Sequence, residues 1–267
     1  MNYSFMSFSC PDLTLDEMLA VAKELGYDAI EPRGVSNHAH GVEPDTDAEQ
    51  RAAIKEKVEA SGIALCCLAT SCRYADPATV GMNIIDTHRF IDLAADVGAP
   101  RLRVFGGKMG EGLSREAAID EVSRALLTVV GHADERNVTL CMETHDDWCD
   151  PAHVAAVMRQ VDHPSIAVNW DILHPVRAAG YTMDQAFEIL QPWIDHVHFH
   201  DSRDEDGKFE LTPIGEGICD HKRALELLKS DIYDGYLSGE WINWEPHETH
   251  LPRELATMKK YEEASQE

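Results

Sequence analysis

Basic residues are scarce in this chain: 23 Lys and Arg stand against 48 Asp and Glu in 267 residues, a formal net charge of −25. Binding a phosphate backbone depends on Lys and Arg displacing counterions, so nucleic acid and anionic membranes are excluded as expected partners. No apolar run approaches the roughly 20 residues of a membrane span. The seven cysteines, at 10, 66, 67, 72, 141, 149 and 219, form no C-x-x-C pair and no zinc-type spacing. The opening MNYSFMSFSCPD lacks the basic and apolar regions of a signal peptide, and with an odd cysteine count this points to the cytoplasm. Neither G-x-G-x-x-G nor a P-loop occurs, which argues against an open nucleotide-binding sheet. No Pro/Gly/Ser-rich linker divides the chain.

What is present is alternation. Short β-type runs begin with YSFMSFS (3–9) and continue at 28–33, 63–70, 101–106, 138–145, 166–172, 195–201 and 235–241. Amphipathic helical patterns lie between them, and the starts recur about every 33 residues, the length of a βαβ unit. Thr14 with Glu17 three residues on is a capping-box pattern before the first helix. Eight such units predict a single (β/α)8 TIM barrel over residues 1–267, with 252–264 as its closing helix.

In such a barrel, function concentrates at the C-terminal ends of the strands. Four consecutive strands end in residues able to bind a metal or move a proton. The fifth ends at Glu143 and His145, the sixth at Asp171 with His174 three residues on. The seventh carries His196, His198 and His200, and the eighth ends at Glu240. Alternation puts the three histidines on one strand face and Val197 and Phe199 on the other, so the imidazoles point into the barrel. Three carboxylates converging with an imidazole would repel one another without a cation, and this donor set suits one divalent ion, Mn2+, Mg2+ or Co2+, with Zn2+ an alternative.

The motifs METHDD, NWDILHP, HVHFHDSR, TPIGEG and YDGYLSGEW resemble the sugar phosphate isomerase/epimerase superfamily, the xylose-isomerase-like barrels. That resemblance implies a metal held by Glu143, Asp171, His198 and Glu240, and substrate contacts from His174 and Arg203. His145 is expected beside the substrate or orienting a carboxylate, with a hydrogen-bonded loop histidine as the plain alternative. The implied activity is isomerisation or epimerisation of a small sugar or polyol carbonyl compound through an enediolate, with Glu143 and Glu240 as acid/base pair. Dehydration of a keto-cyclitol or dehydroshikimate is the alternative. A non-catalytic sugar-binding barrel and an apurinic-endonuclease-like hydrolase stand behind these. The third and fourth strands lack the histidines of the endonuclease branch, leaving His38/His40 and Asp220-His221 as an imperfect echo. Trp148, Trp170, Trp241 and Trp244 could wall a sugar, although aromatic residues at strand ends more often pack. Arg33, Arg101, Arg103, Lys108, Arg177 and Arg203 are the candidate grips for a substrate phosphate, and homo-oligomerisation is left open.

Overall fold

A computed structural model describes residues 1–205 and 208–264. Nine parallel strands form one sheet: β1 (Asn2–Met6), β2 (Ala29–Glu31), β3 (Ala64–Leu65), β4 (Leu68–Arg73), β5 (Arg101–Phe105), β6 (Thr139–Glu143), β7 (Ile166–Asp171), β8 (Ile194–Phe199) and, after the hairpin described below, β11 (Tyr236–Gly239). The hydrogen-bonded order is β3-β2-β1-β11-β8-β7-β6-β5-β4. The ring is completed where Ala69 N donates to the Pro32 carbonyl (2.9 Å) and Gly34 N to the Ala69 carbonyl (3.0 Å). The fold is the TIM barrel expected, with one stave built differently. The run at 63–70 is split at Cys66-Cys67: β3 pairs with β2, and β4 with β5. Pro32, which has no N–H for a ladder, ends β2 and offers only its carbonyl to β4.

Helices cover the outside: α1 (Leu15–Leu25), α2 (Ala48–Ser61), α3 (Val80–Val97), α4 (Arg115–Glu135), α5 (Pro151–Val161), α6 (His174–Ala179), α7 (Met183–Leu190), α8 (His221–Ser230) and α9 (His247–Ala264). The Thr14–Glu17 capping box is formed, with the Thr14 amide donating to Glu17 Oε2 at 2.8 Å, and Gly26 ends α1 in the left-handed region at φ 82°. Strand alternation separates two interiors. Tyr3, Phe5, Val197, Phe199 and Trp170 pack outward against helices, while small Ala29, Cys66 and Cys67 fill a separate cluster of their own. All seven cysteines are buried and free, consistent with packing roles. Among the described residues no helix is long and apolar enough to cross a membrane.

One element was not anticipated. The stretch that follows the expected seventh strand, to which the sequence reading gave no element, contributes strands β9 (Asp201–Glu205) and β10 (Lys208–Thr212), antiparallel with Asp201 opposite Thr212 and Arg203 opposite Glu210. This hairpin follows directly from β8 and brings Phe209 over the barrel mouth, where its ring lies 6.1 Å from that of His200.

Candidate metal centre and active site

The parallel register sets the site. Asp171 on β7 pairs with His198 on β8, Ser238 on β11 pairs with the same His198, and Glu143 closes β6 opposite Asn169. Glu240 follows the last residue of β11, its amide held by the Phe199 carbonyl at 3.1 Å. Donor atoms of Glu143, Asp171, His198 and Glu240 therefore all lie within 4.8 Å of one another, and all four residues are buried. His198 Nδ1 is 3.3 Å from Glu143 Oε1 and 3.5 Å from Glu240 Oε2. Asp171 spends Oδ1 on the amides of Leu173 (2.9 Å) and His174 (3.2 Å), while its buried Oδ2 accepts no hydrogen bond. A buried carboxylate oxygen without a hydrogen bond is costly, and a hard divalent cation among three carboxylates and an imidazole would remove that cost. The residues thus fit the metal that the sequence led us to expect.

Around Glu143 and Glu240 the charges are arranged to keep both carboxylates ionised. Arg103, on β5 and fully buried, sits 3.2 Å from Glu143 Oε2 as an ion pair and donates a hydrogen bond to the Thr70 carbonyl at 3.0 Å. Burial works against the charge on Glu143, but Arg103 and His198 outweigh it and hold the carboxyl well below the usual range. Glu240 is likewise lowered, with burial and the charge of Glu143 opposed by His198 and Arg103.

Sequence reasoning missed Glu31. It ends β2, is fully buried, and reaches across the barrel to β8, with Oε2 2.8 Å from His196 Nε2 and Oε1 3.1 Å from His198 Nε2. His198 thus faces the cluster with Nδ1 and Glu31 with Nε2. A carboxylate on the far nitrogen fixes the tautomer and orientation of a ligating imidazole. Despite burial, His198 and His196 hold Glu31 well below the ordinary carboxylate range. His196 itself is lowered by burial in spite of Glu31. The only sequence signal was another acid at the end of an apolar run, in DAIEPR.

A pocket of about 410 Å3 opens above the cluster, lined by His145, His174, Arg177, His200, Phe209 and Glu240 among others. His174 and His200 approach Asp171 Oδ2 at 3.8 and 3.5 Å. His145 stacks between Phe105 (4.9 Å) and His174 (4.7 Å). Burial opposes its charge, but Asp146, 3.3 Å away, and Glu143 push its ionisation up to about 9. Arg203 lies on the hairpin, exposed, where it donates to the Glu216 carbonyl at 3.1 Å and to Glu216 Oε2 at 2.9 Å rather than into the pocket. The arginine beside the pocket is Arg177, whose guanidinium lies 5.0 Å over Phe209. Trp148, Trp170 and Trp241 are fully buried and pack rather than wall the pocket. Arg101 pairs with Asp195 through two hydrogen bonds at 2.7 and 3.0 Å. His221 bonds the carbonyls of Cys219 and His200, and His38 meets Ser7, so neither part of the endonuclease-like echo joins the cluster.

The xylose isomerase-like TIM barrel family matches residues 19–261 of this chain. A 3-dehydroshikimate dehydratase from Bacillus anthracis is 21% identical over 264 residues, covering 91% of each protein. The L-ribulose-5-phosphate 3-epimerase UlaE of Salmonella typhimurium is 27% identical over 237 residues, 84% of this chain and 81% of that one. Among solved structures, the probable 3-DHS dehydratase AsbF of Bacillus anthracis superposes with a TM-score of 0.82 at 20% identity, over 97% of this chain and 99% of its own. An L-ribulose 3-epimerase gives 0.80 at 16% identity, over 100% and 96%. At these identities the structural likeness speaks for the fold alone. With the family matched across nearly its whole length, the chain belongs to the xylose isomerase-like TIM barrels.

Proposed function

We propose that this protein is a divalent-metal-dependent isomerase or epimerase of a small sugar or polyol carbonyl compound. The observation that carries the reading is the convergence of Glu143, Asp171, His198 and Glu240 at the C-terminal mouth, with Asp171 Oδ2 buried and accepting no hydrogen bond. A divalent ion held by these four would supply Lewis acidity toward the carbonyl and a neighbouring hydroxyl oxygen of the substrate. The residues supply the proton chemistry. Glu143, kept ionised by Arg103, is suited to take the proton from the carbon beside the carbonyl. Glu240, on the opposite side of His198 in strand order, returns a proton to the resulting enediolate. Delivery to the other face of the same carbon gives epimerisation, and delivery to the adjacent carbon gives isomerisation. His174 and His145 offer ring nitrogens to substrate hydroxyls, while Phe209 and Ile242 line the same pocket and restrict water.

A second reading has its own support in the 91% coverage by a dehydroshikimate dehydratase. The same abstraction followed by loss of hydroxide, protonated by His145, would make the protein a lyase. Incubating candidate ketoses and keto-cyclitols with the Mn2+-loaded protein in D2O tests both. Solvent deuterium at the carbon next to the carbonyl, abolished by Glu240→Gln, is the expected result. Accumulation of a dehydrated product would favour the lyase, and absence of both exchange and product would reject proton transfer altogether.

A further inference from the structure

Beside the metal cluster lies a second and larger cavity, about 720 Å3, on the loops that follow β2, β4 and β5. Its wall includes Arg73, Arg89 and Lys108, three cations in a chain with only 23. Its two acids are already committed. Asp86 pairs with Arg89 at 3.5 Å, and Asp76 caps its own turn by accepting from the Ala78 amide at 3.0 Å. Among the described residues, neither the Arg73 guanidinium nor the Lys108 ammonium has a hydrogen-bond or ion-pair partner. In a protein with twice as many acids as bases, two neighbouring cations that form no ion pair mark a local reversal of the surface field.

These cations are held in place by backbone. Tyr74 and Ala75 both donate to the Gly106 carbonyl, at 3.0 and 2.8 Å, locking the loop after β4 onto the loop after β5. Gly107, at φ 78°, lets the chain pass so close that a Cβ there would lie 2.6 Å from Arg73 Cβ. The Lys108 loop is in turn tied to the segment after Glu143, through Trp148 Nε1 to the Gly107 carbonyl (2.8 Å) and the Met109 amide to Asp147 Oδ2 (2.8 Å). The fields of Lys108 and Arg73 also reach Asp146, the neighbour of His145, which lines the reaction pocket. Behind them, buried Arg33 donates to two neutral groups, the Gly34 carbonyl and the Ser71 hydroxyl. Ser71 lines the cavity and, having accepted from Arg33, keeps its own O–H free to donate into it.

We propose that this cavity binds a phosphate monoester on the substrate, with Arg73 and Lys108 matching the two charges of the dianion and Ser71 donating to a third oxygen. The assignment rests on the proton-transfer reading above only in naming the bound group as part of the substrate. It makes the preferred substrate a phosphorylated ketose whose carbonyl end reaches the metal cluster while its phosphate stays between the β4 and β5 loops. Fixing the phosphate there positions the reacting carbons without any contact to them, a use of remote binding energy.

Calorimetric titration with inorganic phosphate tests the site without turnover, on protein stripped of metal and on the Mn2+-loaded form. Stripped of metal, the carboxylate cluster repels phosphate, so binding then reports the cavity. Saturable binding of phosphate in both forms, much weaker binding of acetate, and a loss of at least about tenfold in the Arg73→Gln/Lys108→Gln double variant are expected. Both side chains are exposed, so the variant should keep the wild-type melting temperature. No binding by about 10 mM phosphate, equal binding by the variant, or acetate binding as tightly would overturn the proposal. Failure of ketoses to exchange deuterium would reject the reaction while leaving this result standing, so the two readings fail separately.

Discussion

Replacing Glu31 by Gln probes the least visible part of the site. The carboxylate receives His196 Nε2 at 2.8 Å and His198 Nε2 at 3.1 and 3.2 Å, and none of these groups is accessible to water. If His198 binds the metal through Nδ1, its Nε2 must carry the proton that Glu31 accepts. A glutamine keeps the shape but replaces one acceptor oxygen by an NH2 that opposes an N–H, and it removes the negative charge that raises the basicity of the imidazole. Loss of such an orienting partner typically lowers metal affinity about 10- to 100-fold, or about 1.4–2.7 kcal/mol. Isothermal titration of the metal-free variant with Mn2+, beside a melting curve to confirm folding, is the assay. A folded Glu31→Gln protein that binds Mn2+ as tightly as wild type would refute the argument that Glu31 orients His198.

Two further outcomes follow from the geometry. His40 accepts from the Val42 amide through Nδ1 (3.0 Å) and donates from Nε2 to the Arg33 carbonyl (3.2 Å), and burial lowers its ionisation from 6.5 to about 4. Because the unfolded chain takes up that proton first, His40 should cost stability as pH falls from about 6.5 toward 4, by about 3 kcal/mol in all. His40→Gln, which mimics the neutral ring, should flatten that part of the urea-denaturation profile, and an unchanged slope would contradict the buried neutral assignment. Arg203→Ala should leave kcat/KM within about twofold and stability within about 1 kcal/mol, as for an exposed ion pair. A tenfold fall in kcat/KM would return Arg203 to the substrate.

The legible part of this protein was local. Apolar alternation marked each stave, Thr14 with Glu17 marked the start of the first helix, and the period of the histidines in HVHFHD already showed which way they point. Glu143, Asp171 and Glu240 were legible as candidates because strand ends in a barrel share one rim, while the choice of His198 among three histidines came from the resemblance. Glu31 was not legible, since its role depends on a contact across the barrel with residues about 165 positions away, which no local pattern records. The setting of Arg203 was hidden for a related reason: the charged stretch after β8 carries no periodic pattern, and its pairing with Glu216 depends on a contact 13 positions away. Lys108 was legible as a candidate phosphate grip and Arg73 was not, because the two belong to successive β/α units brought together by backbone hydrogen bonds to Gly106.

The central claim is that the four strand-end residues hold a divalent ion. Metal content by mass spectrometry, after dialysis of the purified protein against Mn2+ and then metal-free buffer, tests it most directly when wild type and Asp171→Asn are compared. The account predicts about one divalent ion per wild-type chain, lost in the variant, where the carboxylate whose Oδ2 accepts no hydrogen bond becomes a neutral amide. Wild-type protein that retains no divalent ion, or a variant that retains as much as wild type, would contradict it.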